Sequence, residues 1–195
     1  MNRHSKTISP DYFQTMFRET HDPWDLETSA YEQAKFDDSI AALADRAYAN
    51  GFEVGCAKGV LTQKLATRCA GLLSIDVSEI ALEAARQRTA HLDHVAFQQM
   101  TFPSATPTGH YDLVVLSEVA YYWDDDDLGR ASHWLESHLV SGGDLLLVHF
   151  TGDTDYPQSG DDAVAKLFMR LGHAMQVVIA SQRPRYRLDL WRRNP

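Results

Sequence analysis

The chain has 195 residues, with 18 lysines and arginines against 27 aspartates and glutamates, for a net charge of −9. That length fits one domain able to bury roughly 70% of its unfolded surface without staples, and the acidic balance argues against a nucleic-acid partner, which wants a basic face. Cys56 and Cys69 form neither a disulfide framework nor zinc spacing, the polar start Met1-Asn2-Arg3-His4-Ser5-Lys6 leads into no apolar signal core, and no run reaches the ~20 apolar residues of a membrane span, so a cytoplasmic protein without membrane partners is expected.

In chain order, the first 36 residues are rich in aromatics: Tyr12, Phe13, Phe17, Trp24, Tyr31 and Phe36. Asp22-Pro23-Trp24 reads as a turn, and a helical pattern resumes near Ala30. Residues 36–48 keep apolar positions at helical spacing up to Asn50-Gly51, a helix-stop and turn signal. Phe52–Gly55 then reads as a first strand, Gly59–Cys69 as a helix and Leu72–Asp76 as a second strand. Ser78 can cap a helix running to about His91, and Val95–Gln98 is a short third strand. After a loop over Pro103–His110, the apolar run Tyr111–Ser117 has the mark of a buried parallel strand. Asp124–Leu139 reads as a helix, with the Asp124–Asp127 cluster as its cap rather than a metal site. Gly142-Gly143 predicts a turn, Asp144–Phe150 a fifth strand and Asp161–Gly172 a helix. Gln176–Ala180 and Tyr186–Trp191 close the chain as two strands with no full helix between them. The pattern predicts an α/β, doubly wound, Rossmann-like fold with a mostly parallel seven-stranded sheet and an antiparallel last strand. The expected organisation is a lid segment over 1–36 and a main domain over 37–195, a single domain overall.

The segment Phe52-Glu53-Val54-Gly55-Cys56-Ala57-Lys58-Gly59, with Asp76 downstream, is the most informative stretch. A strand, a glycine turn and a helix start are how an α/β sheet grips a nucleotide-like cofactor. A dinucleotide turn needs Gly-x-Gly-x-x-Gly, whereas these positions hold Gly55, Ala57 and Val60. Glu-x-Gly-x-x-x-Gly instead resembles motif I of class I S-adenosylmethionine (SAM) methyltransferases. Backbone N–H groups at a helix start favour an anion such as the carboxylate of SAM. Glu53 is available to its amino or sulfonium end. Asp76 follows the first strand by about the 20 residues expected of a ribose ligand. A structural turn and a capping aspartate are the plain alternative for the same residues.

In an open parallel sheet, ligands bind beyond the carboxyl ends of the strands. Ser117-Glu118-Val119-Ala120-Tyr121-Tyr122-Trp123 and His149-Phe150-Thr151-Gly152 should therefore line a substrate site, with the N-terminal aromatics as a lid. An amine acceptor must present a free lone pair, so Glu118 can orient it and a neutral His149 can take its proton. Tyr122 joins them as a catalytic candidate, and the neighbouring rings offer stacking faces. A solvated loop carboxylate, a structural histidine and plain packing are the competing readings. No Asn/Asp/Ser-Pro-Pro-Tyr/Phe motif of DNA amino-methyltransferases follows the fourth strand, and no metal-ligand spacing is present.

Several segments together are similar to the nodulation protein S (NodS) family. These are Asp22-Pro23-Trp24, Glu27-Thr28-Ser29-Ala30-Tyr31-Glu32, Lys35-Phe36, Glu53-Val54-Gly55-Cys56, Ser117–Tyr122, His149-Phe150, Tyr156-Pro157, Gly160-Asp161-Asp162 and Tyr186–Arg192. The resemblance implies SAM as cofactor and N-methylation of the free amine of a deacetylated amino sugar or chitooligosaccharide-like acceptor. The cofactor set expected from it is Glu53, Gly55, Cys56, Ala57, Gly59, Asp76 and Val77 around the first two strands. Gln99, Thr101 and Phe102 follow the third strand and Ser117 ends the fourth. Trp24 and Tyr31 come from the N-terminal segment. Two departures stand out: Ala57 replaces a usual glycine, and Gln98-Gln99-Met100-Thr101 lacks the acidic residue that many relatives use for adenine. A methyltransferase of another small molecule, at N or O, and a non-catalytic SAM-binding protein are the alternatives.

Overall fold

Residues 3–195 are described by a computed structural model; Met1 and Asn2, part of the polar start considered above, lie outside the described residues. Seven strands form a mixed sheet in the order β3-β2-β1-β4-β5-β7-β6, with the chain dividing into two compact units.

One unit spans Ser9–Thr101. It opens with α1 (Pro10–Glu19) and α2 (Ala30–Ala42), the latter capped by the Ser29 side chain and running through residue 36. Then come β1 (Tyr48–Val54), α3 (Val60–Leu65), β2 (Cys69–Asp76), α4 (Glu79–Arg88) and β3 (Val95–Gln99). The three strands pair in parallel, β1 with β2 and β2 with β3. Ser78 caps α4 as expected, accepting from the Ala81 amide.

Two boundaries differ from expectation. Asn50-Gly51 is not a turn but lies inside β1, opposite Gly71 and Leu72. Gly51 stands there for space: a Cβ on it would lie 2.7 Å from the Cys69 sulfur and 2.9 Å from Leu72 Cδ1. A glycine inside a strand often marks such a close approach. The helix after the motif is also shorter than read: α3 covers only six residues, and Thr67 and Arg68 close a turn on Lys64 and Leu65. So short a helix carries little macrodipole.

The other unit joins the N-terminal residues up to Ile8 with Phe102–Pro195. It holds β4 (Tyr111–Ser117), a 3-10 turn over Ala120–Tyr122, α5 (Asp125–His138), β5 (Leu139–Phe150), α6 (Gly160–Leu171), β6 (Met175–Gln182) and β7 (Tyr186–Arg193). Strand β4 is the continuous apolar run predicted, with Leu113, Val114, Val115 and Leu116 fully buried. It pairs in parallel with β5. Strand β7 is antiparallel to both β5 and β6, so the closing hairpin is present and its last strand is the inner one. Gly142-Gly143 does not stand apart as a turn before the fifth strand. It bulges within β5, where the register jumps from Tyr111↔Leu139 to Leu113↔Asp144. A bulge keeps pairing on both sides of the extra residues, which is why the strand starts early. Asp124 caps α5 by accepting from the Asp127 amide, while Asp125 pairs with Lys166 and Asp127 with Arg130. Residues 4–8 lie along this unit, with His4 N–H donating to Asp155 O (2.7 Å) and Ile8 N–H to Tyr122 O (2.9 Å).

Candidate functional site

The glycine turn after β1 is built from left-handed backbone at alternate residues: φ is 75° at Gly55, 46° at Ala57 and 76° at Gly59. Gly59 is required twice over, because a Cβ there would also lie 2.9 Å from the Ala85 Cβ of α4. Ala57 adopts this conformation with a methyl group attached, at a cost of about 1 kcal/mol. The turn is stitched to β2: the amides of Gly55 and Cys56 both donate to Ile75 O, at 2.8 and 2.9 Å.

Asp76, at the tip of β2, completes this stitching. Its Oδ2 accepts the Ala57 amide at 2.9 Å and its Oδ1 accepts the Ser78 amide at 2.8 Å. Burial raises its carboxyl above the usual range, while the amides of Ser78, Ala57 and Val77 pull it back. Each carboxylate oxygen can accept a second hydrogen bond, so a diol can still be held there. The Gln99 side chain donates to Val77 O at 2.9 Å, bringing both residues to the same strand ends.

Glu53, the other carboxylate expected near the cofactor, is held by two hydroxyls. It is 2% exposed, and its Oε2 accepts from Thr62 (2.6 Å) and Ser74 (2.7 Å). The carboxyl is pushed up to about 7, chiefly by burial, against the two hydroxyl bonds that lower it. Its contacts join β1, α3 and β2 beneath the turn. Cys56 is likewise buried, and desolvation lifts its thiol well above the ordinary range.

Lys58, inside the turn, was not singled out from sequence. Its ammonium is buried and pairs with Glu27 Oε2 at 2.9 Å, with His21 Nδ1 at 3.0 Å. Arg88 donates to Lys58 O at 2.9 Å and also pairs with Glu27. The Lys58 hydrogen bond is the main reason the Glu27 carboxyl lies below its ordinary value. Trp24 packs edge-on against Phe17, at 5.5 Å between centroids, and Lys35 sits over the Tyr31 ring. Nothing local in the sequence links Glu27 to Lys58 or Arg88.

In the other unit, Ser117 ends β4 and Glu118 follows with φ 58°, a left-handed conformation that costs a non-glycine residue about 1–3 kcal/mol. The twist returns its carboxylate to β5. Oε2 accepts from the Tyr121 hydroxyl at 2.6 Å and from the Phe150 amide at 2.9 Å. His149 is fully buried, and its Nε2 accepts the Ala120 amide at 3.2 Å. A ring nitrogen that accepts an amide hydrogen carries no proton itself, so the neutral ring holds its proton on Nδ1. Through this bond His149 pins the turn.

Tyr121 and Tyr122 are also buried. Tyr121 stacks on Tyr156 at 5.4 Å and 15°, and Tyr122 meets both rings edge-on at 4.6 Å. Burial pushes both hydroxyls well above the tyrosine range, with Glu118 adding to the effect at Tyr121 and Tyr156 at Tyr122. Half-buried Tyr156, noted from sequence only as part of the family resemblance, is the outermost ring of this cluster. Phe102 is buried against Trp123 and Trp134, so its ring belongs to an aromatic core. Thr101 closes the first unit and Phe102 opens the second. Among the described residues no group of three or more His, Cys, Asp or Glu side chains could hold a metal, and no helix is long and apolar enough to cross a membrane.

A strand–glycine turn–helix cradle with a carboxylate at the next strand tip, in a sheet closed by an antiparallel hairpin, defines the class I methyltransferase fold. The crystal structure of N-methyltransferase NodS from Bradyrhizobium japonicum, in complex with S-adenosyl-L-homocysteine (SAH), superposes with a TM-score of 0.82 at 26% identity, covering 94% of this chain and 98% of that one. The Nodulation protein S (NodS) family matches residues 13–151, and the chain belongs to that family. Nodulation protein S of Bradyrhizobium diazoefficiens is 37% identical over 105 residues, 53% of this chain and 50% of that protein. The Sinorhizobium fredii protein is 35% identical over 127 residues, 64% of this chain and 59% of that protein. The chain thus spans about half to three-fifths of the length of these curated relatives.

Proposed function

We propose that this chain is a SAM-dependent N-methyltransferase whose acceptor is the free amine of a deacetylated amino sugar or chitooligosaccharide-like molecule. The cofactor half rests on one observation: the buried Asp76 carboxylate grips the Ala57 amide of the turn with one oxygen and the Ser78 amide with the other. That arrangement supports Asp76 as the acceptor of a ribose diol, since each oxygen keeps room for a second hydrogen bond. Cys56, Val77, Gln99 and Thr101 belong to the same cradle in this reading, and Phe102, Ser117, Trp24 and Tyr31 are assigned to it from the family resemblance. Glu27, paired to Lys58 of the turn, supports a lid role for the N-terminal segment.

SAM supplies the methyl group and a neutral thioether leaving group. The chain's own work is to orient an amine with its lone pair free and to keep water away. Glu118 suits the first task, since its carboxylate is held in one rotamer and attracts an ammonium group before the proton is lost. Tyr122 frames that carboxylate, and His149 holds the Ala120–Tyr122 turn in place. Acceptor deprotonation to bulk water precedes attack, so transfer should rise with pH until the amine is neutral.

The test is methyl transfer from labelled SAM to glucosamine oligomers beside their N-acetylated counterparts. Label on the free-amine oligomers alone is the expected result. Equal labelling of both, or of neither, refutes the amino-sugar acceptor.

A further inference from the structure

Tyr121 has no role in the reading above, yet it makes a short hydrogen bond to Glu118, 2.6 Å from hydroxyl to Oε2. Its ring leaves the hydroxyl little choice of direction. It is 6% exposed, stacked on Tyr156, with His149 edge-on at 5.5 Å and Tyr122 edge-on at 4.6 Å. The second donor to the same oxygen is the Phe150 amide, part of the strand backbone. A side chain on a strained φ of 58° is therefore fixed by one rigid ring and one rigid strand end. The third brace is the bond from the Ala120 amide to His149, which fixes one of the two residues between Glu118 and Tyr121.

We infer that Tyr121 is the positioning residue of the acceptor site: its hydroxyl, with the Phe150 amide, locks the Glu118 carboxylate in the one orientation that receives an acceptor ammonium. The inference rests on the proposed methyltransferase reading and adds a residue to it. Tyr121 touches no reacting atom; it acts through Glu118. A carboxylate at this backbone angle would otherwise explore several rotamers, and lost positioning lowers turnover even where charge is kept. A charge-assisted bond of this kind is worth about 10- to 100-fold in rate.

A double-mutant cycle tests it, with methyl transfer from labelled SAM to glucosamine trimer and, in parallel, to benzylamine. Tyr121→Phe keeps the ring and removes the hydroxyl; it should lower kcat/KM about 10- to 100-fold while SAH affinity by calorimetry stays within about threefold. Glu118→Gln should lower kcat/KM at least as much. The two changes together should cost no more than Glu118→Gln alone, because Tyr121 has nothing left to position. Glu118→Asp keeps the charge but withdraws it from both donors, and should fall as far as Glu118→Gln. Additive losses, or near wild-type turnover by Tyr121→Phe or Glu118→Asp, would overturn the assignment while leaving the methyltransferase reading intact. Transfer by the wild type to neither amine would overturn the amine-acceptor reading of this site and this inference with it. A purely structural role for Tyr121 would lower SAH affinity and transfer together, an outcome that also refutes the inference.

Discussion

The two units of the chain build their sites by different means. Between Ser9 and Thr101 the site is mostly backbone: three left-handed residues, amides stitched to Ile75, and Asp76 tying Ala57 to Ser78. Between Phe102 and Pro195 it is mostly side chains, with a carboxylate held by a tyrosine and a histidine spent on an amide. Under the proposed function, a backbone cradle suits a cofactor, because its shape is set by a few glycines and one acid. A side-chain cluster can be retuned residue by residue for the acceptor.

The sharpest way to break that division is to remove one carboxylate from each unit. Asp76→Ala should weaken SAM binding by at least about 100-fold, since two charge-assisted acceptors are lost and the turn is released. Glu118→Gln should leave SAM affinity within about threefold and lower transfer instead. Equal loss of SAM affinity in both variants would erase the distinction.

Glu53 offers a smaller test of the first unit. Its carboxyl lies at about 7 in the fold against an ordinary 4.5, so the folded state holds the proton more tightly than the unfolded chain. Stability from this group is complete below about pH 4.5 and drains away as pH rises to about 7 and beyond. The difference is worth about 3 kcal/mol at most. Relative to wild type, Glu53→Gln should therefore gain stability between pH 5 and pH 8 in urea unfolding. A gap independent of pH would show that Glu53 is not carrying a proton in the fold.

The smallest effect is expected at Ala57. Ala57→Gly relieves a left-handed alanine and should add about 0.5–1 kcal/mol of stability with SAM affinity within threefold. A loss of stability would mean that the methyl group packs usefully.

Both halves left traces in the sequence, to different degrees. The turn was legible because glycines at positive φ and an acid at a strand tip are local facts. The parallel strands and closing hairpin were legible from apolar runs and from the missing last helix. Asn50-Gly51 misled because a glycine pair normally signals a turn, whereas Gly51 yields room to Cys69 and Leu72 across the strands. The hydroxyls of Thr62 and Ser74 around Glu53, and Glu27 beside Lys58, depend on pairings 9 to 31 residues apart that no local pattern marks. Glu118 and His149 stand out by residue type and position, but the bond from the Ala120 amide to His149 joins residues 29 apart that no local pattern marks.

The central claim is a SAM cradle built on Asp76, and a calorimetric titration with SAH tests it most directly. The account predicts saturable binding at one site per chain that Asp76→Ala abolishes and Glu118→Gln preserves. No saturable binding by the wild type, or binding indifferent to Asp76→Ala, would contradict it.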